Sequence, residues 1–285
     1  MCIRDRSIEA LNLCKKITLE KKDVLLPFGA FDSNHVGIVR EDGCLDLYDG
    51  KLRAKAADGA VIFDQIVPAD YLDYIAEEVR PWSYMKFPYI RSLGKEKGWY
   101  RVGPLARINV CDYIDTAIAE KERQEFMALG GGKPINASMA YHWARMIELV
   151  HSAEKIKELL NDSDLQGNKL LTSGKRRNRG VAWIEAPRGT LFHHYEVNDQ
   201  DQITLANLIV STTNNNEAMN RVVQVVAKQY LEGKEITEGL LNHIEVGIRA
   251  YDPCLSCATH ALGQMRLHVQ LVGADGMVLD EKYRG

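Results

Sequence analysis

The feature that most constrains this chain is a helical pattern from Ser138 to Leu160, in which Met139, Trp143, Met146, Ile147 and Val150 recur on one face. An apolar stripe of that width has to be buried against other elements, so the segment belongs at the centre of the fold. A second helical stretch, at about Val110–Leu129, precedes it across Gly130-Gly131-Gly132-Lys133-Pro134. The glycine triplet reads as a flexible break, because no Lys-Ser/Thr pair follows it as a phosphate-binding loop requires. Ser7–Lys22 has mixed helical character, and two more helices are expected at Glu217–Leu231 and Ile236–Arg249.

Strand character lies on either side. From Val36 to Phe63, short alternating runs are broken by Asp42-Gly43, Asp49-Gly50 and Asp58-Gly59, which predicts a small antiparallel meander. Val181–Ala186, Leu191–Val197 and Ile203–Val210 read as strands, with Asn198-Asp199-Gln200-Asp201 turning between the last two. A helix is expected over Pro68–Val79, where Tyr71, Leu72, Ile75 and Val79 share a face behind a first-turn proline. Pro81–Arg107 is irregular and rich in aromatic residues. Asn161–Arg179 is a polar loop whose cluster Lys175-Arg176-Arg177-Asn178-Arg179 is solvated or, alternatively, docks an acidic partner. Alternating Leu267, Val269 and Leu271 suggest a strand in a terminal hairpin turning at Ala274-Asp275-Gly276. The expected class is α+β: long central helices form a bundle-like core, flanked by antiparallel strands.

Bulk properties exclude several kinds of function. A net charge of −3 gives no support to a nucleic-acid partner, and 46% hydrophobic residues with 26% charged ones suit a soluble globular protein. The longest apolar runs, such as Val222–Ala227, fall far short of the ~20 residues a membrane span needs. Residues 1–6 carry no secretory h-region and read as a non-native scar, so they are set aside. Six cysteines in 285 residues do not make a disulfide scaffold. Cys2, Cys14, Cys44 and Cys111 are scattered and read as buried or incidental thiols, with a reducing, cytoplasmic compartment as the default.

One motif carries chemistry. Cys254 and Cys257 are spaced so that two thiolates reach one soft metal, Pro253 stiffens their approach, and His260 offers a nitrogen. Two sulfurs do not complete a structural zinc site, and no second cysteine pair exists. Half a zinc site, a redox dithiol and a rarer metal all remain open on the residues alone. The helix–loop–helix surroundings are not the βαβ setting of a redox dithiol.

Asp252-Pro253-Cys254-Leu255-Ser256-Cys257-Ala258-Thr259-His260 resembles the C-terminal signature of nickel–iron hydrogenase large subunits at every fixed position. Glu185-Ala186-Pro187-Arg188-Gly189-Thr190-Leu191-Phe192-His193 and Arg101-Val102-Gly103-Pro104-Leu105-Ala106-Arg107 resemble two further blocks of that family, in the same order. Ile248-Arg249-Ala250-Tyr251 and Ala261-Leu262-Gly263-Gln264-Met265 look like its cytoplasmic, bidirectional, NAD-linked group.

The resemblance implies reversible heterolytic cleavage of hydrogen at a nickel–iron centre with cyanide and carbon monoxide ligands. Cys254 would be a terminal nickel ligand that also accepts the proton, and Cys257 the bridge between the metals. Pro187 and Arg188 would line the pocket around the iron's diatomic ligands, where a permanent cation suits a cyanide nitrogen. Taken singly, Arg188 is a surface turn residue. Asp252 would pair with Arg188, a role compatible with a plain N-cap. Ser211, Thr212 and Thr213 lie where a hydroxyl meets cyanide, without the neighbouring Pro and Trp found in many relatives. His193 is either near the site or structural. His260 would bind magnesium, although in isolation it is a helix-end histidine.

The same resemblance implies a maturation endopeptidase cutting after His260. Residues 7–260 would then be the C-terminal portion of the large subunit, and residues 261–285 a removable extension. Residues 1–253 hold no Arg-x-Cys-Gly-x-Cys block, which supplies the other two thiolates, so this chain alone should not assemble the centre. Expected partners are diaphorase subunits carrying flavin and acting on NAD, together with an iron–sulfur small subunit. Alternatives are an F420-linked or viologen-reducing hydrogenase and a zinc-stabilised interaction module. A non-catalytic relative of the respiratory complex I type is disfavoured by Cys254, Cys257 and His260.

Overall fold

The computed structural model describes residues 2–231, 233, 235–254 and 267–284. Helix α1 (Ile3–Glu20) begins within the six residues set aside above, and the short α2 (Lys22–Leu25) follows it. The expected meander forms as β1 (Asn34–Val39), β2 (Lys51–Lys55) and β3 (Val61–Ile66), with Val39 opposite Lys51 and Lys55 opposite Val61. Gly43 at φ +82° and Gly59 at φ +96° supply the positive dihedrals those turns need.

Pro68–Val79 departs from its helical expectation. A 3-10 turn (Pro68–Asp70) and one helical turn, α3 (Tyr71–Tyr74), give way to β4 (Ile75–Glu78), which pairs antiparallel with β5 (Phe87–Ile90). Tyr71 and Ile75 both stay buried, so the apolar face is kept while the backbone extends to take a partner strand. After α4 (Gly94–Lys97), β6 (Tyr100–Arg101) adds a parallel edge to β1 and completes the order β3-β2-β1-β6.

Only the second part of the expected helix Val110–Leu129 is helical, as α6 (Ala117–Ala128). Pro81–Arg107, read as irregular, holds β5, α4, β6 and the start of another helix, α5 (Pro104–Val110). Carboxylates explain the break. Glu154 accepts from the Ile118 and Ala119 amides, and Glu120 from the Ile114 amide, so α6 has its own satisfied N-terminus. The long helix α7 (Ala140–Leu159) forms within two residues of its expected bounds.

Three antiparallel strands come next: β7 (Arg179–Ala186), β8 (Gly189–Val197) and β9 (Ile203–Ile209). The polar loop before them is solvated, and Arg176 in it pairs with Asp201 at 2.8 Å. Then come α8 (Ser211–Asn214), α9 (Asn216–Tyr230) and α10 (Glu238–Arg249), the last capped by Thr237 accepting from the Leu240 amide. The expected terminal hairpin is β10 (Leu267–Val272) with β11 (Val278–Arg284). Its Leu267, Val269 and Leu271 pack on the helices, and the Ile236 amide donates to Asp280 at 2.6 Å.

Two apolar cores result. Trp143 centres the helical one with Leu11, Phe126, Ile147, Val222 and Leu241, while Trp183 and Phe192 centre the sheet core with Ile38, Leu52, Tyr71 and Tyr100. Helix α5 lies where the two meet: Leu105 and Ile108 belong to the first, and Val102 just before it to the second. Cys44 and Cys111 are buried thiols, Cys14 is half-buried and Cys2 exposed. Among the described residues no helix is long and apolar enough to cross a membrane.

Candidate metal centre

Strand β7 ends at Ala186 and β8 begins at Gly189, so Pro187 and Arg188 form the two-residue loop of a hairpin. Gly189, at φ +139°, lies so close to Val102 that a side chain there would collide with the Val102 methyl group. Gly103 touches the Arg188 carbonyl in the same way: an added Cβ would sit 2.8 Å from its oxygen. These two glycines let the start of α5 press against the turn. Below it, Glu185 is buried and accepts from Arg107 at 2.8 Å and from the Thr190 hydroxyl at 2.7 Å. Burial pushes the Glu185 carboxyl above its usual range, with Arg107 and Thr190 opposing.

Arg188 reaches from this turn to the segment after α10. Its Nε donates to the Asp252 backbone carbonyl at 2.6 Å and lies 3.5 Å from the Asp252 carboxylate. Asp252 takes φ +51°, a left-handed conformation rather than the extended backbone of an N-cap. Two residues on, the Cys254 amide donates to Thr212 Oγ1 at 3.4 Å. The chain therefore brings Pro187, Arg188, Asp252, Cys254 and Thr212 together from three separate segments.

The hydroxyls of α8 divide. Ser211 is buried and donates to the Gly189 carbonyl at 2.7 Å, so it clips the turn from behind. Thr212 and Thr213 line a cavity of about 380 Å³ together with Cys254. Leu208, Val210, Tyr84 and Met85 give that cavity apolar walls, and Glu77 with Lys86 give it charge. His193 is not among its lining residues and meets the Tyr195 hydroxyl at 3.4 Å instead. Cys257 and His260 lie outside the described residues.

Glu77 and Lys86 escaped the sequence reading. They stand 3.3 Å apart, and Asn207 donates to Glu77 at 2.9 Å. Ile75-Ala76-Glu77-Glu78 shows no alternation to mark a strand, and the helical face of Tyr71, Leu72, Ile75 and Val79 pointed the other way.

Among the described residues no three of His, Cys, Asp and Glu converge to hold a metal ion. The described polar groups of that kind at the cavity are the Cys254 sulfur, which is disulfide-bonded in this structure, the Thr212, Thr213 and Tyr84 hydroxyls and the Glu77 carboxylate, a set that does not close a coordination shell for a soft metal. What they form is one wall of a pocket, with a sulfur donor, hydroxyls beside it and an arginine anchored behind.

A family model described as nickel-dependent hydrogenase matches residues 38–260, and the chain belongs to that family. It is 49% identical, over 87% of its length, to the beta subunit of the NAD-reducing hydrogenase HoxS of Cupriavidus necator, of which it covers 51%. It is 44% identical to an F420-non-reducing hydrogenase chain of Methanothermobacter thermautotrophicus, over 90% of its own length and 54% of that protein. The chain thus spans about half the length of these relatives.

Among solved structures, an NAD+-reducing [NiFe]-hydrogenase in the H2-reduced state matches with a TM-score of 0.86 and 51% identity, over 90% of this chain and 57% of that one. A [NiFeSe]-hydrogenase from Dm. baculatum, at 22% identity and a TM-score of 0.63, shares the fold. The α+β architecture is accordingly that of hydrogenase large subunits.

Proposed function

We propose that this chain is the C-terminal portion of a nickel–iron hydrogenase catalytic subunit whose complete form reversibly cleaves hydrogen. Electrons would pass through a small iron–sulfur subunit, then through flavin-bearing diaphorase subunits, to NAD(P) in the cytoplasm. The observation carrying this proposal is the 49% identity to the NAD-reducing relative across nearly the whole chain.

In that setting, Cys254 and Cys257 would hold the nickel–iron centre through their sulfurs. Two further thiolates come from the remainder of the subunit. The nickel–iron centre with its cyanide and carbon monoxide ligands supplies the electrophilic metals that heterolytic cleavage requires. Arg188, outside the cavity's lining but tied to Asp252 two residues before Cys254, brings a permanent cation to the cysteine segment, and Thr212 lines the cavity with a hydroxyl. Pro187 stiffens the turn that carries Arg188. The Cys254 Sγ, once reduced, would accept the proton, and His260 would hold magnesium.

We also assign the chain beyond His260 to a maturation extension that an endopeptidase removes. The β10–β11 hairpin packs on the helical core through Leu267, Val269 and Leu271, which suits a segment that keeps the Cys254 loop accessible until metal is inserted. Intact mass before and after nickel loading tests this: unchanged mass in the loaded protein would sink it.

The relatives named F420-non-reducing hydrogenase favour a second reading, in which the electron acceptor is not NAD. Hydrogen-dependent reduction of NAD by the purified complete complex separates the two. Reduction of viologen with none of NAD would support the second, and F420 reduction would point to an F420-linked enzyme.

A further inference from the structure

We propose that Arg107 is a positioning residue for the metal pocket, holding the Pro187-Arg188 turn in register with the Cys254 loop. The inference rests on the reading above, in which Arg188 borders the centre. The side chain of Arg107 is 2% exposed, and each of its five N–H groups has a partner. Nε and Nη2 grip the Glu148 carboxylate at 2.6 and 2.7 Å, and Nη1 meets Glu185 at 2.8 Å. The remaining two donate to the carbonyls of Ala186 at 2.9 Å and Pro187 at 3.2 Å. Two carboxylates already compensate the guanidinium, so charge balance does not explain its two bonds to the backbone leading into Arg188.

Those bonds fix the turn from below, while Ser211 clips the Gly189 carbonyl on its far side. Arg188 Nε then holds the Asp252 carbonyl, two residues before Cys254. A continuous series of contacts therefore runs from Glu148 on α7, through Arg107, to the cysteine loop. Lysine cannot replace Arg107: its three N–H groups would pair with the carboxylates and leave the carbonyls unheld.

The test compares Arg107→Lys and Glu148→Gln in two settings. The second variant loosens the grip on Arg107 without leaving a bare carboxylate, and it decides the matter if the first does not fold. In the full chain, hydrogen exchange read by mass spectrometry should accelerate about tenfold at residues 188–190 and 252–254, and stay unchanged in α10. In the complete enzyme, kcat for hydrogen should fall with KM unchanged, and adding Arg107→Lys to Arg188→Lys should cost nothing further. Wild-type exchange at both segments, or additive losses, would overturn the proposal. A wild-type complex that cleaves no hydrogen would instead refute the proposed function, and the exchange comparison would still decide the role of Arg107.

Discussion

Arg188 Nε lies 2.6 Å from the backbone carbonyl of Asp252 but 3.5 Å from its carboxylate, so the link between the β7–β8 turn and the cysteine loop runs chiefly through the main chain. Substitution at position 252 can keep that link, whereas substitution at 188 cannot. Asp252→Asn, which also tolerates a left-handed backbone, should melt within about 0.5 kcal/mol of wild type. Arg188→Ala should destabilise the chain by about 1 kcal/mol and cost the complete enzyme roughly a hundredfold in hydrogen uptake, as the loss of a preorganised electrostatic donor does. Calorimetry and hydrogen-electrode assays check both. Equal activity losses at the two positions would contradict the main-chain link.

Thr212 accepts the Cys254 amide and lines the cavity. Thr212→Val keeps the shape and removes the acceptor, so it should destabilise the chain by about 1 kcal/mol, while Thr212→Ser stays close to wild type. Urea melts of the two variants make the comparison, and indistinguishable midpoints would show that the bond contributes nothing.

His35 provides a pH signature. It is wholly buried on β1 against Asn136 and Asn109, and burial, followed by the charge of Arg101, pushes its imidazole down to about 3. The unfolded imidazole binds a proton below about 6.5, which the folded chain refuses until about 3. The unfolded state therefore holds more protons in that window, and stability is full above it and falls as the pH drops through it. Between pH 6.5 and 5, above most carboxylate titration, the expected loss is roughly 2 kcal/mol. His35→Gln should flatten the slope by about one proton, and an unaltered slope would show that another group is responsible.

Trp143 anchors the helical core at 1% exposure, its indole N–H donating to Glu122 at 2.8 Å. Trp143→Ala should cost about 3–5 kcal/mol, read by denaturant unfolding, whereas Trp82→Ala, with Trp82 largely exposed, should cost about 0.5 kcal/mol or less.

Much of this arrangement was legible in the sequence because periodicity and turn chemistry agreed. Helices α7 and α9, strands β7 to β9 and the terminal hairpin all form near their expected bounds, where pattern and punctuation point the same way. Pro68–Val79 misled because an apolar face of helical spacing also serves a helical turn followed by a strand, and only pairing with Phe87–Ile90 decides between them. The break after Val110 depends on Glu154, a carboxylate distant in the sequence, capping the next helix. At the site, Arg188, Asp252 and Cys254 stood out through their motifs. Glu77 and Lys86 did not, since they reach the cavity from a hairpin that local pattern does not specify. Arg107 was visible within its block, but its five-bond hub appears only once α5, α7 and β7 converge.

The central claim is that the Cys254 loop is one half of a nickel–iron site. Its most direct test is metal analysis of the complete complex, with and without Cys254→Ser. Nickel in the wild type, alongside iron in excess of it because the small subunit carries iron–sulfur clusters, with nickel lost in the variant, is the predicted result. Zinc in place of nickel, or nickel retained after the substitution, would contradict it.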